Sequence, residues 1–301
     1  MVSPSEAARR VLVTGLDGFT GRHVAAELER GGYEVHGLLS SGIASAANLE
    51  HVDLLDADAI RAAVKRIRPW AVIHLAAIAF VAHDDIDAIY HTNVIGTRHL
   101  LAALADLSVL PSIVVLASSA NVYGNAEGSL DERTPLSPAN DYAVSKVAME
   151  YMARTWSARL PLVFTRPFNY TGVGQDERFL IPKIVGHFRR GERQIELGNL
   201  DVWREFMDVR NVAWVYRRLL ETRSDADTFN ICSGASHSLR EVLAMMARIA
   251  GYDIEIRVNP AFVRDNEVLR LEGDPTLLRS RVGVLPQHNL MDTLRWMYQS
   301  P

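Results

Sequence analysis

The stretch Val11-Leu-Val-Thr-Gly15-Leu-Asp-Gly18-Phe-Thr-Gly21 decides the fold of this chain. An apolar run ends directly at a glycine, and two more glycines follow at intervals of three residues. Gly15 permits a tight turn, Gly18 lets the backbone approach a pyrophosphate, and Gly21 lets a helix pack close to a strand. N–H groups at the start of that helix would face the phosphates. The stretch therefore predicts a strand–turn–helix unit that binds a dinucleotide.

Strand-like and helix-like segments alternate after this turn. The apolar runs show no period of two, which is expected of strands that are covered on both faces. The pattern predicts an α/β fold, a Rossmann-like doubly wound parallel sheet. The predicted strands are Arg10–Thr14, Tyr33–Leu39, Ala71–Leu75, Ser112–Ala117, Leu162–Thr165 and Thr228–Cys232, and the predicted helices of this part are His23–Arg30, Asp58–Ile67, Thr92–Leu107, Asp141–Leu160 and Asn211–Glu221.

The composition changes after Arg166-Pro167, where Gly, Pro and Asn become frequent and the periodicity weakens. We expect two units that the chain crosses between more than once. Residues 1–166 plus 205–232 are predicted to form the NAD(P)-binding Rossmann domain. Residues 167–204 plus 233–301 are predicted to form a smaller α/β lobe that binds the substrate.

Composition excludes several classes of function. The 301 residues carry a formal net charge of −4, which argues against a nucleic-acid-binding protein. Cys232 is the only cysteine, so no disulfide can form within the chain, and a cytoplasmic location is expected. No apolar run approaches the roughly 20 residues needed to span a bilayer, so no membrane partner is expected. No metal site is predicted.

The sequence Tyr142-Ala-Val-Ser-Lys146 carries the candidate chemistry. Residues four apart share one face of a helix, so the phenol and the ammonium can point at the same spot. We expect the ammonium to lower the pKa of the phenol and make it a proton donor and acceptor near neutral pH. Ser119, at the end of a predicted strand, can hydrogen-bond a substrate oxygen. Each feature alone also occurs on ordinary surface helices and turns.

The end of the second predicted strand bears on cofactor choice. An acidic residue there would bind the 2′-hydroxyl of NAD, but the segment reads Val35-His-Gly-Leu-Leu-Ser40-Ser41. Nothing in it would repel a 2′-phosphate, and the two serines could donate hydrogen bonds to one. Arg22 is the nearest candidate cation. NADP(H) is therefore favoured, with NAD(H) possible.

The motifs together resemble the extended short-chain dehydrogenase/reductase family, in its nucleotide-sugar branch. The resemblance covers nearly the whole chain. It implies that Ser119, Tyr142 and Lys146 are catalytic and that Asn93 and His74 are structural. The motifs are Thr14-Gly15-x-x-Gly18-x-x-Gly21, Asp53-Leu54, His74-Leu-Ala-Ala77, Asn93-x-x-Gly96-Thr97, Ser118-Ser119-Ala-Asn-Val-Tyr-Gly124, Tyr142-x-x-x-Lys146 and Arg166-Pro-Phe-Asn169. The residues expected to bind the cofactor are Gly15, Asp17, Gly18, Phe19, Thr20, Ser40, Asp53, Leu54, Leu75, Ala76, Ala77, Tyr142 and Lys146.

Later segments are similar to the GDP-mannose dehydratase and GDP-4-keto-6-deoxy-mannose reductase enzymes. They are 165–175, 198–212 and Arg264-Asp-Asn-Glu267. A diphosphate bound between two lobes needs convergent cations and amides, although each arginine alone could instead form a surface ion pair. The residues expected to bind the substrate are Ser119, Asn121, Asn169, Arg204, Arg264 and Glu267.

Asn121 separates the reactions within this branch. Dehydratases resemble this chain but carry an acid at that position, and an amide cannot act as a general acid or base. The resemblance thus implies NADP(H)-dependent reduction of GDP-4-keto-6-deoxy-D-mannose to GDP-D-rhamnose, a deoxysugar for cell-surface glycans. The C4 epimer GDP-6-deoxy-D-talose, another nucleotide base, a 4-epimerase and a non-catalytic dinucleotide sensor stay open.

Association as a homodimer is also implied by the resemblance, through the helices around 92–107 and the YxxxK motif. Val94, Leu101, Met149 and Met152 are compatible with such a contact and equally with the protein's own core.

Overall fold

Strands and helices alternate along the chain in the computed structural model, which describes residues 9–40, 46–79, 85–222, 227–260, 270–286 and 288–300. The strands are β1 (Arg10–Thr14), β2 (Glu34–Leu39), β3 (Leu49–His51), β4 (Ala71–His74), β5 (Ile113–Ala117), β6 (Gly128–Leu130), β7 (Leu162–Pro167), β8 (Tyr170–Thr171), β9 (Gln194–Leu197), β10 (Trp203–Glu205), β11 (Met207–Asp208), β12 (Thr228–Ile231), β13 (Ser236–Ser238), β14 (Glu255–Val258) and β15 (Arg270–Gly273). The helices are α1 (Phe19–Arg30), α2 (Ala57–Ile67), α3 (Ile86–Tyr90), α4 (Thr97–Ala105), α5 (Asp141–Arg154), α6 (Leu180–Arg189), α7 (Val209–Glu221), α8 (Leu239–Ala250), α9 (Thr276–Val282) and α10 (Leu290–Gln299).

A seven-stranded parallel sheet forms the larger unit, in the order β12-β7-β5-β4-β1-β2-β3. The order reverses between β1 and β4, and ligands of such sheets bind at that crevice, beyond the carboxyl ends of the strands. The glycine turn follows β1, so the fold puts it at the crevice. The predicted Rossmann-like architecture is confirmed.

Apolar side chains cover both faces of this sheet. On one face α1, α7 and α9 pack on it, with Leu28 and Leu219 fully buried. On the other face α2, α4 and α5 do so, with Ile60 and Leu100 fully buried. Burial on both sides explains why the strands read as continuous apolar runs.

The smaller unit has its own core. Side chains of α6, α8 and α10 pack around β9. A four-stranded sheet in the order β13-β10-β15-β6 and a parallel pair of β14 with β9 belong to this part of the molecule. Helix α8 begins with a capping box, in which Ser238 and Glu241 bond each other's backbone N–H groups.

Two elements pack across the predicted division of the chain. Strand β6 lies within residues 1–166 but pairs with β15 of the lobe. Helix α9 lies within residues 233–301, yet Leu278 and Val282 belong to the core of the Rossmann unit. The boundaries given above therefore stay a prediction.

The helix predicted over Thr92–Leu107 is instead divided between two elements, the second of which is α4. A π-helical turn, His91–Gly96, separates α3 from α4. A Cβ on Gly96 would stand 2.8 Å from the Leu54 Cβ, so the turn packs closely on the segment after β3. Such π turns often mark functional sites, because they turn one side chain inward.

Two searches of the described residues give negative findings. None of the helices there is long and apolar enough to cross a membrane. Nor does that part of the chain contain a group of three or more His, Cys, Asp or Glu side chains that could hold a metal ion.

Candidate active site

The glycine turn has no room for side chains. Gly15 has a φ of +68°, and a Cβ there would stand 2.8 Å from the Ala76 Cα. A Cβ on Gly21 would stand 2.6 Å from the Leu16 Cα and closer still to the Gly15 carbonyl oxygen. No side chain caps the first turn of α1. This cradle fits a pyrophosphate, because backbone N–H groups at a helix start bind phosphate oxygens.

A buried chain of hydrogen bonds ties β1 to β4 beneath the turn. The two ring nitrogens of His74 lie 2.7 Å from Thr14 Oγ1 and 2.8 Å from Thr97 Oγ1. The Ala76 N–H donates to Thr14 Oγ1 over 3.2 Å. Burial, followed by the nearby Lys146 charge, lowers the pKa of His74 to about 3. The imidazole is thus a neutral part of the scaffold, as the resemblance implied.

Ser119 and Tyr142 come together at the carboxyl edge of the sheet. Ser119 follows β5, and its Oγ accepts the Asn121 N–H over 3.1 Å. Asn140 caps α5 and Tyr142 lies in its first turn, near enough to Ser119 for hydrogen bonding with that side chain to lower the pKa of the phenol. Both residues are less than 10 % exposed, at 8 % and 7 % respectively. The predicted pair is therefore brought close together at this edge.

Lys146 lies one turn further along α5. Its Nζ donates to the Ala117 carbonyl over 2.8 Å and lies 5.9 Å from the centre of the Tyr142 ring. Burial lowers the pKa of this ammonium to about 8, although Glu150 acts in the opposite direction. The ammonium is therefore near its titration point at a slightly alkaline pH.

The expected depression of the Tyr142 pKa is wrong for this structure. Burial raises the pKa of the phenol to about 12, and the hydrogen bond with Ser119 offsets this only in part. The physical reason is that exclusion of water destabilises a phenolate, while the Lys146 ammonium is turned to a backbone carbonyl. The phenol is protonated at neutral pH, which suits a proton donor.

Asn93 supports the site from the π-helical turn. Its side chain accepts the Ile78 N–H over 2.9 Å and donates to Ser145 Oγ over 3.0 Å. Ser145 Oγ in turn donates to the Tyr142 carbonyl over 2.7 Å. Asn93 thereby links the segment after β4 to α5, which agrees with the structural role that the resemblance implied.

Tyr170 is a site residue that the sequence reasoning missed. Its hydroxyl lies 2.7 Å from Thr20 Oγ1, and its ring stacks on Phe19 at 6.0 Å between centroids. It is also close enough to Tyr142 to contribute to that residue's raised pKa. The phenol thus holds the first turn of α1 and lies near Tyr142 of α5. The only available signal was its position directly after Asn169 in a motif already singled out.

An acid does stand at the end of β2, contrary to the sequence expectation. The Asp17 carboxylate, from the glycine turn, accepts the Ser40 N–H over 3.2 Å and the Ser40 hydroxyl over 3.1 Å. Arg22 donates to the Gly174 carbonyl over 3.3 Å and so serves the loop after β8. Ser41 lies outside the described residues. The acid that β2 itself lacks is therefore provided by Asp17, which the fold brings to the end of this strand.

The remaining predicted cofactor residues follow β3 and β4. Asp53 Oδ1 accepts the Leu55 N–H over 2.9 Å, and the buried Leu54 packs against Gly96. Leu75 donates its N–H to the Thr14 carbonyl, and Ala77 is half-buried just beyond Ala76. All of them lie beyond the carboxyl ends of their strands, at the edge where the glycine turn lies.

Two predicted substrate residues lie just before β8 and within β10. The Asn169 carbonyl accepts the Met207 N–H over 3.0 Å, which joins the chain before β8 to β11. Arg204 lies in β10 and donates to the Trp203 carbonyl over 2.9 Å. Asn121 is exposed, two residues beyond Ser119. Arg264 and Glu267 lie outside the described residues.

Comparison with known proteins agrees with this geometry. Residues 11–232 match the family model described as NAD dependent epimerase/dehydratase family. A GDP-6-deoxy-D-talose 4-dehydrogenase of Aggregatibacter actinomycetemcomitans is 33% identical over 277 residues, 91% of either chain. A GDP-6-deoxy-D-mannose reductase of Pseudomonas aeruginosa is 33% identical over 300 residues, 95% of either chain.

Two solved structures are similar over nearly the whole chain. A protein of Burkholderia cenocepacia J2315, described as a candidate epimerase, is 51% identical with a TM-score of 0.91, covering 96% of this chain and 97% of its own. RMD from Pseudomonas aeruginosa, complexed with NADPH, is 30% identical with a TM-score of 0.85, covering 97% of this chain and 96% of its own.

Proposed function

Because the chain belongs to the NAD-dependent epimerase/dehydratase family, we propose that it reduces the C4 keto group of GDP-4-keto-6-deoxy-D-mannose to give GDP-D-rhamnose. The chain is an NAD(P)-dependent enzyme of the nucleotide-sugar oxidoreductase and epimerase group. The observation that carries the finer proposal is that Ser119 lies close to a protonated Tyr142, one helical turn from Lys146. That set suits reduction of a carbonyl by hydride and proton.

The proton comes from Tyr142 in the proposed reduction. When bound, the reduced nicotinamide supplies the hydride that goes to C4. The Tyr142 O–H bond breaks as an O–H bond forms at the C4 oxygen, and Ser119 orients the oxygen by hydrogen bonding. The Lys146 ammonium then stabilises the phenolate that remains. The product is the C4 alcohol.

Asn169 and Arg204 are proposed to hold the nucleotide diphosphate of the substrate, since an amide and a guanidinium are donors suited to phosphate oxygens. The Asn169 carbonyl accepts the N–H of Met207, which lies three residues beyond Arg204. Arg264 and Glu267 remain part of the proposal on sequence alone.

We expect the reduction to slow as the pH rises through about 8. The Lys146 ammonium has a pKa of about 8, so it is charged below that pH and loses its proton above it. The neutral amine no longer stabilises the Tyr142 phenolate, so log(kcat/KM) plotted against pH should turn down near 8 and approach a slope of −1. Initial rates of NADPH oxidation between pH 6 and pH 10 check this.

Lys146→Arg is the matched variant for that profile, because a guanidinium keeps its charge throughout the range. The variant should reduce the substrate more slowly than the wild type at pH 7. Its log(kcat/KM) should not turn down near pH 8. A wild-type profile that is flat to pH 10, with the fold intact by circular dichroism, would contradict the role given to Lys146.

A second product is favoured by one specific observation. One full-length relative at 33% identity is a GDP-6-deoxy-D-talose 4-dehydrogenase, and GDP-6-deoxy-D-talose is the C4 epimer of GDP-D-rhamnose. Which epimer forms depends on which face of the sugar meets the nicotinamide. The catalytic residues are the same for both.

Product analysis tests the proposal. The purified protein is incubated with GDP-4-keto-6-deoxy-D-mannose and NADPH, and the sugar is examined by proton NMR. A large H3–H4 coupling identifies the rhamnose product, and a small one identifies the talose epimer. Interconversion of an intact nucleotide hexose, with no NADPH oxidation, would identify a 4-epimerase instead. Tight dinucleotide binding without turnover of any of these sugars would identify a sensor.

NADP(H) as the preferred cofactor is supported by the NADPH complex of RMD, and NAD(H) use by the name of the family. A homodimer and a cytoplasmic location are also part of the proposal. The predicted contact residues Leu101 and Met149 lie in the core, however, and the exposed apolar side chains of these helices are Ile95, Val144 and Tyr151.

A further inference from the structure

The carboxyl end of β2 holds a charged contact that neither the glycine motif nor the catalytic set uses. Asp17 Oδ2 accepts both the N–H and the hydroxyl of Ser40. The turn that carries Asp17 is fixed there, because the Gly15 N–H donates to the Leu38 carbonyl over 2.9 Å. The carboxylate is therefore held just beyond the last residue of β2, against Ser40, which is 23 positions away from Asp17 in sequence.

This place has a specific meaning in dinucleotide-binding folds. The residue just beyond the second strand meets the 2′ position of the adenosine ribose. A carboxylate accepts a hydrogen bond from a free 2′-hydroxyl, whereas it repels a 2′-phosphate. The Ser40 donors that a 2′-phosphate would need are already bonded to Asp17. Arg22, the nearest cation in sequence, is bonded to the Gly174 carbonyl.

We propose that Asp17, which lies in the glycine turn, interacts with the 2′ position of the cofactor's adenosine ribose. It thereby has the role that an acidic residue at the end of β2 would have. Its carboxylate favours NAD(H) and weakens NADP(H) binding, so that the enzyme uses both cofactors. The inference deepens the proposed function at its cofactor site and does not depend on the sugar substrate. Loss of the charge turns the protein into an NADP(H)-selective one.

Asp17→Asn is the test, because the amide keeps the size and one acceptor oxygen for Ser40 but removes the charge. Dissociation constants for NADH and NADPH are measured by fluorescence titration without sugar. Displacement by 5′-AMP and by adenosine 2′,5′-bisphosphate repeats the comparison on the adenosine part alone. We expect the ratio Kd(NADH)/Kd(NADPH) to rise about tenfold, as for removal of one repulsive charge near a phosphate.

Ser40→Ala is the matched control, since it removes a hydroxyl at the same place and leaves the carboxylate. The ratio Kd(NADH)/Kd(NADPH) of this variant should change by less than about threefold, which is the effect expected from the loss of one weak exposed hydrogen bond. If Asp17→Asn shifts both dissociation constants by the same factor, Asp17 only holds the turn and the inference is overturned. It is also overturned if Ser40→Ala shifts the ratio as much. Failure of the wild-type protein to bind either dinucleotide would instead refute the proposed function.

Discussion

Tyr142→Phe is expected to lose nearly all reduction, by about 10²–10⁴-fold in kcat, which is the usual contribution of a positioned general acid. The phenol is the group whose proton goes to the C4 oxygen, and its raised pKa keeps that proton in place at neutral pH. The ring itself is buried at the start of α5, and phenylalanine fills the same volume. The expected structural cost is only the hydrogen bond with Ser119, about 1 kcal/mol.

The measurement is single-turnover NADPH oxidation with GDP-4-keto-6-deoxy-D-mannose, together with NADPH affinity by fluorescence. Tyr216→Phe is the matched control: it also removes a buried phenol hydroxyl, one that lies 3.1 Å from Thr165 Oγ1. That variant should retain turnover within about tenfold, since it loses only an ordinary buried hydrogen bond. Turnover by Tyr142→Phe at a rate near that of the control would show that another group delivers the proton.

Gly21→Ala is expected to damage both stability and cofactor binding. The added methyl group would press on the Gly15 carbonyl and the Leu16 Cα, which are backbone atoms that cannot move aside without opening the turn. Overpacking of this kind costs about 1–3 kcal/mol in the free energy of unfolding. Because the same turn forms the phosphate cradle, we expect NADPH affinity to fall at least about tenfold.

Gly18→Ala separates the two effects. Its φ of −70° and ψ of 167° suit alanine, and the added Cβ would meet only the Gly15 oxygen, at 3.1 Å. Its unfolding midpoint in urea should stay close to that of the wild type, while its NADPH affinity falls, because the methyl group stands at the mouth of the cradle. Equal unfolding midpoints for Gly21→Ala and the wild type would refute the packing role of Gly21.

Most of the large elements could be predicted from local patterns. The predicted bounds of β1 agree with the structure to the residue, and those of β4, β5 and β12 differ by one residue at one end, because each is a short apolar run with clear stops. Most of the short strands of the lobe, and α10, were missed. Strands of two to four residues carry too few positions for a period, and their pairing is with distant partners.

The break in the helix predicted over Thr92–Leu107 shows another limit. Its apolar residues continue at helical spacing through the π-helical turn, so the sequence has no local stop there. The turn exists because Gly96 packs on Leu54 and Asn93 reaches the Ile78 backbone, both contacts between distant parts of the chain.

Local sequence alone was enough to predict the dinucleotide fold and to select Ser119, Tyr142 and Lys146, since glycine spacing and helix periodicity act over a few residues. Only the tertiary structure decided the electrostatics of those groups. Burial outweighs the hydrogen bond with Ser119 and raises the pKa of Tyr142, which spacing along a helix cannot reveal. The folded sheet likewise brings Asp17 to Ser40, so the acid at the end of β2 comes from the glycine turn that follows β1. Solvent exclusion and contacts across the sheet arise only when the chain closes on itself.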